Sequence, residues 1–214
     1  MSRKAVERES RLAYVRNAAR TLFAEKGIEN TSMEDIARAV EYTRRTLYAY
    51  FAGRDEICTQ VFIDDLAARW SAQRDALAGT DCESGLGKIL VWGRSLYAYS
   101  KQHPDSLRMH FYFDLKGIDP GRISEQTFTR FQKLNTELAE GLRDIFHEGV
   151  SDGSLRPDLD VDMSISQFLY SLRSILNRAL SPGYSFASFD PDHYVEHFLE
   201  IFTRAIRHTG GRCK

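Results

Sequence analysis

Along the chain, apolar residues recur at steps of three and four, the period of a helix that buries one face. In the first such stretch Leu12, Val15, Ala19, Leu22 and Phe23 share a face while Arg11, Arg16 and Arg20 fall elsewhere. Gly27 supplies a left-handed stop, so a helix is predicted over 8–26. Thr31-Ser32-Met33-Glu34 reads as a capping box: a hydroxyl accepts from the amide three residues on, Glu34 reaches back, and a short helix runs to Val40. Residues 41–43 break the pattern, and Thr43 is placed to cap a third short helix, RRTLYAYF. There Leu47 and Phe51 share one face with Tyr50 beside them, whereas Arg44, Arg45, Tyr48 and Ala49 point the other way at about 100° per residue. Two short helices joined by a three-residue turn, apolar on one side and bearing two arginines and a tyrosine on the other, have the layout of a helix-turn-helix whose second helix enters the major groove of DNA.

Beyond Asp55 the only period is again helical, over 55–78, 84–102, 105–115, 122–150, 160–180 and 191–207. Gly79, His103-Pro104, the stretch Gly117 to Gly121, the turn Ser151-Asp152-Gly153-Ser154 with Pro157, and Ser181-Pro182-Gly183 punctuate it. No alternating strand, internal repeat or flexible linker interrupts the series. The predicted fold is all-α: a three-helix DNA-binding domain over 1–54 and a helical domain over 55–214. The last two helices carry more apolar circumference than one contact hides. Pairing with their symmetry mates in a four-helix interface would cover it, through Phe168, Leu172, Ile175 and Leu176 on one helix and Val195, Phe198, Leu199 and Phe202 on the other. The alternative is an intramolecular core in a larger bundle.

Composition sharpens this reading at two points. The 214 residues hold 29 Lys+Arg against 30 Asp+Glu, yet residues 1–54 carry eleven basic and seven acidic side chains, a balance of +4, leaving −5 for the rest. A basic head on an acidic body is the electrostatic preparation of a nucleic-acid module. Three cysteines, Cys58, Cys82 and Cys213, at wide spacing and without a CxxC pair, argue against a disulfide framework or a thiolate zinc site. With a charged amino terminus and no run of about 18 apolar residues, the chain is expected in the cytoplasm, on the bacterial nucleoid when bound to DNA, and not in a membrane.

At IARAVEYTRRTLYAYFAGRDEI, residues 36–57, the sequence resembles the TetR family of bacterial transcriptional regulators. The Thr31-Ser32 pair, Ile36-Ala37, Thr43, the run Thr46-Leu47-Tyr48 with Tyr50-Phe51, and Arg54 before a long fourth helix carry the likeness. It implies a homodimeric repressor that binds a palindromic double-stranded operator and is released by a small-molecule effector held in the body. It further implies that Arg44 and Arg45 read bases, that Ala49 touches a thymine methyl, and that Thr31, Ser32, Thr43, Thr46, Tyr48, Tyr50 and Arg54 contact the backbone. An effector pocket is expected among Trp70, Trp92, Leu96, Tyr97, Met109, His110, Phe111, Tyr112, Phe113, Phe128 and Phe131. Two positions depart from the family pattern. Glu41 stands where glycine is usual in the turn, at a cost of about 1 kcal/mol if the backbone is left-handed there, and Arg45 stands where a small residue is common.

No catalytic residue, metal ligand or cofactor is expected. His193-Tyr194-Val195-Glu196-His197 spells HxxEH, with both imidazoles on one helix face, but a zinc site needs a third ligand and a cleft. Gly85-Leu86-Gly87-Lys88 has Cys82 where a phosphate loop needs its first glycine and no strand before it, so it reads as a helix start. The competing class is a small-molecule-binding or metal-dependent helical enzyme with a vestigial DNA-binding head.

Overall fold

The computed structural model describes residues 3–180 and 190–209; the turn Ser181-Pro182-Gly183 and Cys213 lie outside the described residues. Nine helices make up the described chain: α1 (Arg3–Lys26), α2 (Met33–Ala39), α3 (Arg44–Tyr48), α4 (Arg54–Ala78), α5 (Gly85–Gln102), α6 (Pro104–Lys116), α7 (Glu125–Ser151), α8 (Val161–Leu180) and α9 (Pro191–Ile206). A 3-10 turn, Pro120–Arg122, precedes α7, and an isolated bridge between Leu155 and Arg207 is the nearest thing to β-structure among the described residues. None of the described helices is long and apolar enough to cross a membrane.

Several helix boundaries have a local cause. α1 opens at Arg3, five residues before the first apolar stripe calls for it, because its first turns hold themselves: Arg3 donates to Glu7 at 3.0 Å and Ser10 to the Val6 carbonyl at 3.0 Å. At α2 the cap is Ser32, whose hydroxyl accepts from the Asp35 amide at 3.1 Å while the Asp35 carboxylate accepts from the Ser32 amide at 2.9 Å. Asp35, and not the predicted Glu34, thus closes the capping box. Thr43 caps α3 by accepting from the Thr46 amide at 3.1 Å. α3 is shorter than predicted, ending at Tyr48 in a tightened turn where the amides of Tyr50 and Phe51 share the Leu47 carbonyl at 3.0 and 2.9 Å. Pro104 starts α6, where its missing N–H costs nothing.

The turn between α2 and α3 closes as a Schellman motif: the Tyr42 amide donates to the Ala37 carbonyl at 2.9 Å and the Glu41 amide to the Arg38 carbonyl at 3.3 Å. That motif needs a left-handed residue after the helix, and Glu41 takes φ 57°, alone among the described non-glycine residues.

The chain packs into two compact units. One comprises residues up to Ala67 together with Met109–Leu134; the other comprises Ala68–Arg108 and the chain from Asn135 onward. The first unit's core runs from Val15, Ala19 and Phe23 on α1 through Ile36, Leu47 and Phe51 to Ile57, Val61 and Phe62 on α4. Met109 completes it, with Tyr112, Phe113, Ile118 and Phe131 packed against it. The second unit is built on α5, α8 and α9, whose Phe168, Leu172, Leu176, Val195 and Leu199 are each 0% exposed. A Cβ on Gly93 of α5 would come within 2.7 Å of Leu199 Cδ2, so the helices meet there at glycine distance. A second close approach sets the start of α5 on the end of α7, where a Cβ on Gly85 would lie 2.3 Å from the Gly149 Cα. Ser84 caps that helix start, so the Gly85–Lys88 stretch opens a helix as the sequence suggests.

Candidate nucleic-acid interface

The first unit presents α3 with its apolar side down and its polar side out. Leu47 is fully buried, while Thr43, Arg44, Arg45, Tyr48 and Ala49 are exposed and Thr46 is half-exposed. The Thr43 and Thr46 hydroxyls lie 2.8 Å apart at the amino end of α3, and Ser32 is exposed at the amino end of α2. Asp35 beside it is held well below the usual carboxylate range by the Ser32 hydroxyl, the Ser32 amide and Lys26.

Three of the sequence-predicted contact residues are engaged within the fold. Thr31 is only 1% exposed, and its hydroxyl donates inward to the Gly27 carbonyl at 2.9 Å. It ties α1 to α2, which is why the neighbouring Ser32 takes the cap. Arg54 is half-buried and donates to the Glu29 carbonyl at 3.2 Å and the Asp55 carboxylate at 3.1 Å, holding the start of α4 against the α1–α2 loop. Tyr50 is half-buried, with its hydroxyl accepting from Arg11 at 3.4 Å.

The pairing of charges separates two kinds of cation. Arg3, Arg16, Lys26, Arg38 and Arg54 each lie within 4 Å of a carboxylate, whereas among the described residues Lys4, Arg8, Arg11, Arg20, Arg44 and Arg45 have no such partner. The buried Arg16 is clamped by Asp64 at 2.6 Å and Glu9 at 2.8 Å, and Asp64 also takes Arg130 of α7 at 2.7 Å. Sequence reasoning missed this network. It also missed the environment of Glu56, whose carboxylate accepts from the Ala52 amide, Ser124, Thr127 at 3.0 Å and Gln60 at 3.3 Å. Burial alone would raise the Glu56 pKa, but those hydrogen bonds hold it below its ordinary value. A glutamate beside Ile57 on the inward side of α4 is a signal the sequence did carry.

The residues expected to line an effector pocket divide between the units. In the second, Trp70 lies over Gly141, Trp92 packs on Phe168 with centroids 5.7 Å apart, Leu96 is buried, and the Tyr97 hydroxyl donates to Asp192 at 2.6 Å. In the first, Met109 and His110 are buried and Phe111, Tyr112, Phe113, Phe128 and Phe131 are half-buried. Phe62 stacks on Phe113 at 4.3 Å and meets His110 at 5.0 Å. Tyr112 and Phe113 border a cavity of about 390 Å³ that Arg54, Cys58, Lys116 and Arg122 also line. The Cys58 thiol there is pushed up to about 12 by burial.

At the proposed dimer face, five of the eight side chains are core: Phe168, Leu172, Leu176, Val195 and Leu199 are sealed inside a single chain. Ile175, Phe198 and Phe202 are half-buried, and the apolar side chains that face outward are Met163, Tyr170 and Ile201. The stripe is wide enough to serve both sides, and its inner arc is claimed by α5. In the HxxEH stretch His193 and His197 stand exposed with centroids 6.1 Å apart, but Glu196 is taken by Arg94 in a two-pronged pair at 2.9 and 2.8 Å. Among the described residues no three His, Cys, Asp or Glu side chains come together as a metal ion requires.

Residues 15–61 match the sequence profile of bacterial regulatory proteins, tetR family. The chain is 29% identical over 187 residues to the HTH-type transcriptional repressor KstR2 of Rhodococcus jostii, covering 86% of this chain and 84% of that protein. It is 30% identical over 169 residues to KstR2 of Mycolicibacterium smegmatis, covering 77% of each. Among solved structures, the ketosteroid transcriptional regulator KstR2 of Mycobacterium tuberculosis superposes with a TM-score of 0.64 at 18% identity, over 93% of this chain and 96% of that one. A regulatory protein in the tetR family from Rhodococcus RHA1 gives 0.70 at 16%, over 92% and 97%. With the helix-turn-helix and the body helices both accounted for, the chain belongs to the tetR family of bacterial regulatory proteins and is a DNA-binding transcriptional regulator.

Proposed function

We propose that the protein is a repressor that binds, as a homodimer, an operator with inverted-repeat symmetry, and that a small molecule held by the body changes its grip. The observation that carries this reading is the outer face of α3: Arg44 and Arg45 stand exposed without a carboxylate partner among the described residues, next to two capped helix starts. A guanidinium left free at the start of a short exposed helix matches the paired acceptors of guanine, and capped amino termini match phosphate. Arg44 and Arg45 read bases, Ala49 meets a thymine methyl, and Ser32, Thr43, Thr46, Tyr48 and Tyr50 hold the backbone, while Arg54, spent on Asp55 and the Glu29 carbonyl, fixes the start of α4 behind them. Thr31 acts indirectly, by setting the position of α2. The division of labour falls at residue 54, with 1–54 reading DNA and 55–214 supplying dimerisation and the effector site, although residues of 109–134 pack with the head.

Dimerisation is supported by the exposed apolar side chains of Met163, Tyr170 and Ile201 on α8 and α9, and repression by the relatives' own designation. The test is selection of bound duplexes from a random DNA pool, with the wild type beside an Arg44→Ala/Arg45→Ala variant. The expected result is an inverted repeat, half-sites about one helical turn apart, enriched by the wild type alone. A folded wild type that enriches no sequence at low salt overturns the reading.

A further inference from the structure

We infer that the first turns of α1 form a second DNA-gripping element, in which Lys4, Arg8 and Arg11 hold the phosphates that flank the half-site read by α3. The inference rests on the DNA-binding reading above. Its first support is that residues 3–11 are ordered helix without a packing role: all of them are exposed, and the first buried side chain of α1 is Val15. Helix that buries nothing contributes little to the core, so its use lies on its surface.

Its second support is placement. Arg8 lines one concavity of about 370 Å³ with Tyr48, Ala49 and Tyr50 at the carboxyl end of α3, and the Arg11 guanidinium reaches the Tyr50 hydroxyl at 3.4 Å. The exposed side of α3 therefore continues onto α1. Spacings of four and three put Lys4, Arg8 and Arg11 on one face of the helix. At 1.5 Å per residue the three span about 10 Å, the axial run of about three phosphates on one strand.

Its third support is charge. The acidic side chains of the same stretch pair with other cations, Glu7 with Arg3 and Glu9 with Arg16, and although Glu7 also acts on Arg11 from one turn away, no carboxylate among the described residues comes within 4 Å of Lys4, Arg8 or Arg11. Arg20, the other unpaired cation of α1, lies on a different face of the helix. Three aligned cations, without an ion-pair partner among the described residues and contiguous with the recognition helix, are placed to take the anions that a duplex supplies.

The test uses the full chain and the duplex enriched in the selection above, with affinity measured over a salt series for the wild type and for Lys4→Ala/Arg8→Ala/Arg11→Ala. Alanine favours helix, so the variant should melt as the wild type does. The expected result is a slope of log affinity against log salt shallower by roughly 2 to 3, at about 0.9 per phosphate released, with the selected sequence unchanged. Trimming the flanking base pairs should weaken the wild type and leave the variant unaffected, and Arg8→Glu should weaken binding further. A wild type that binds while the variant keeps both the slope and the flank dependence overturns this inference alone. A wild type that binds no duplex overturns it together with the DNA-binding reading.

Discussion

Glu56 is 4% exposed, and every group around its carboxylate is a donor: the Ala52 amide on Oε2, and Ser124, Thr127 and Gln60 on Oε1. Glutamine has the same shape but brings one oxygen and one NH2. With its oxygen toward Ser124 and Thr127, its NH2 faces the Ala52 amide; flipped, the NH2 faces the hydroxyls. The hydroxyls can turn away and the amide cannot. Charge-assisted hydrogen bonds contribute about 1.5 to 3 kcal/mol each, and relief from burying a charge offsets part of the loss. The expected cost is about 2 kcal/mol for Glu56→Gln and about 3 kcal/mol for Glu56→Ala, which strands all four donors. Because the folded pKa is depressed, the contribution is present above the unfolded value of about 4.3 and is lost as pH falls through the folded value. Urea unfolding at pH 7, 5 and 3 should show the full gap between wild type and Glu56→Gln at the first two and a narrower one at the last. Equal midpoints at pH 7 would refute the claim that donors hold this carboxylate charged.

Glu41→Gly removes a left-handed glutamate and an acidic side chain near the reading face; it should raise the unfolding midpoint by about 0.5 to 1 kcal/mol equivalent, and a fall would show that φ 57° carries no strain. Gly85→Ala places a Cβ 2.3 Å from the Gly149 backbone, which no side-chain rotation relieves, so a loss of about 3 kcal/mol is expected in denaturant. Gly53→Ala, with nothing within 4 Å, is its neutral control. Tyr170→Ser/Ile201→Ser, at positions 64% and 54% exposed, should weaken self-association at least tenfold in sedimentation while the secondary structure persists. Leu172→Ala, in the sealed core, should instead cost about 2 to 5 kcal/mol.

Where a physical rule acts within a few residues, the sequence was readable. The α3 cap, the outward set Arg44, Arg45, Tyr48 and Ala49, and the helix start at Gly85 follow from spacing alone. What spacing omits is the partner. Thr31 and Ser32 are equivalent as caps until carbonyls at the end of α1 claim the Thr31 hydroxyl. The apolar stripes of α8 and α9 were visible, but periodicity measures the width of a stripe and not which arc meets the same chain. Phe168 and Tyr170 are two residues apart and end on opposite sides of that division. The start of α1 was misplaced because hydrophobic period marks only the part of a helix that packs, and residues 3–11 do not.

The head's core includes Met109, and Tyr112, Phe113 and Phe131 lie against it, so the helix-turn-helix is completed by residues far downstream. During synthesis the segment through Ala67 leaves the ribosome before Met109–Leu134 exists. At about 5 to 20 residues per second the nascent head waits roughly 3 to 13 seconds with the face of Phe62 that meets Phe113 and Phe131 open to water. A DNA-reading fragment cut after residue 67 would stay in that state permanently. It would aggregate more readily than the whole chain and bind an operator weakly even with every reading residue in place.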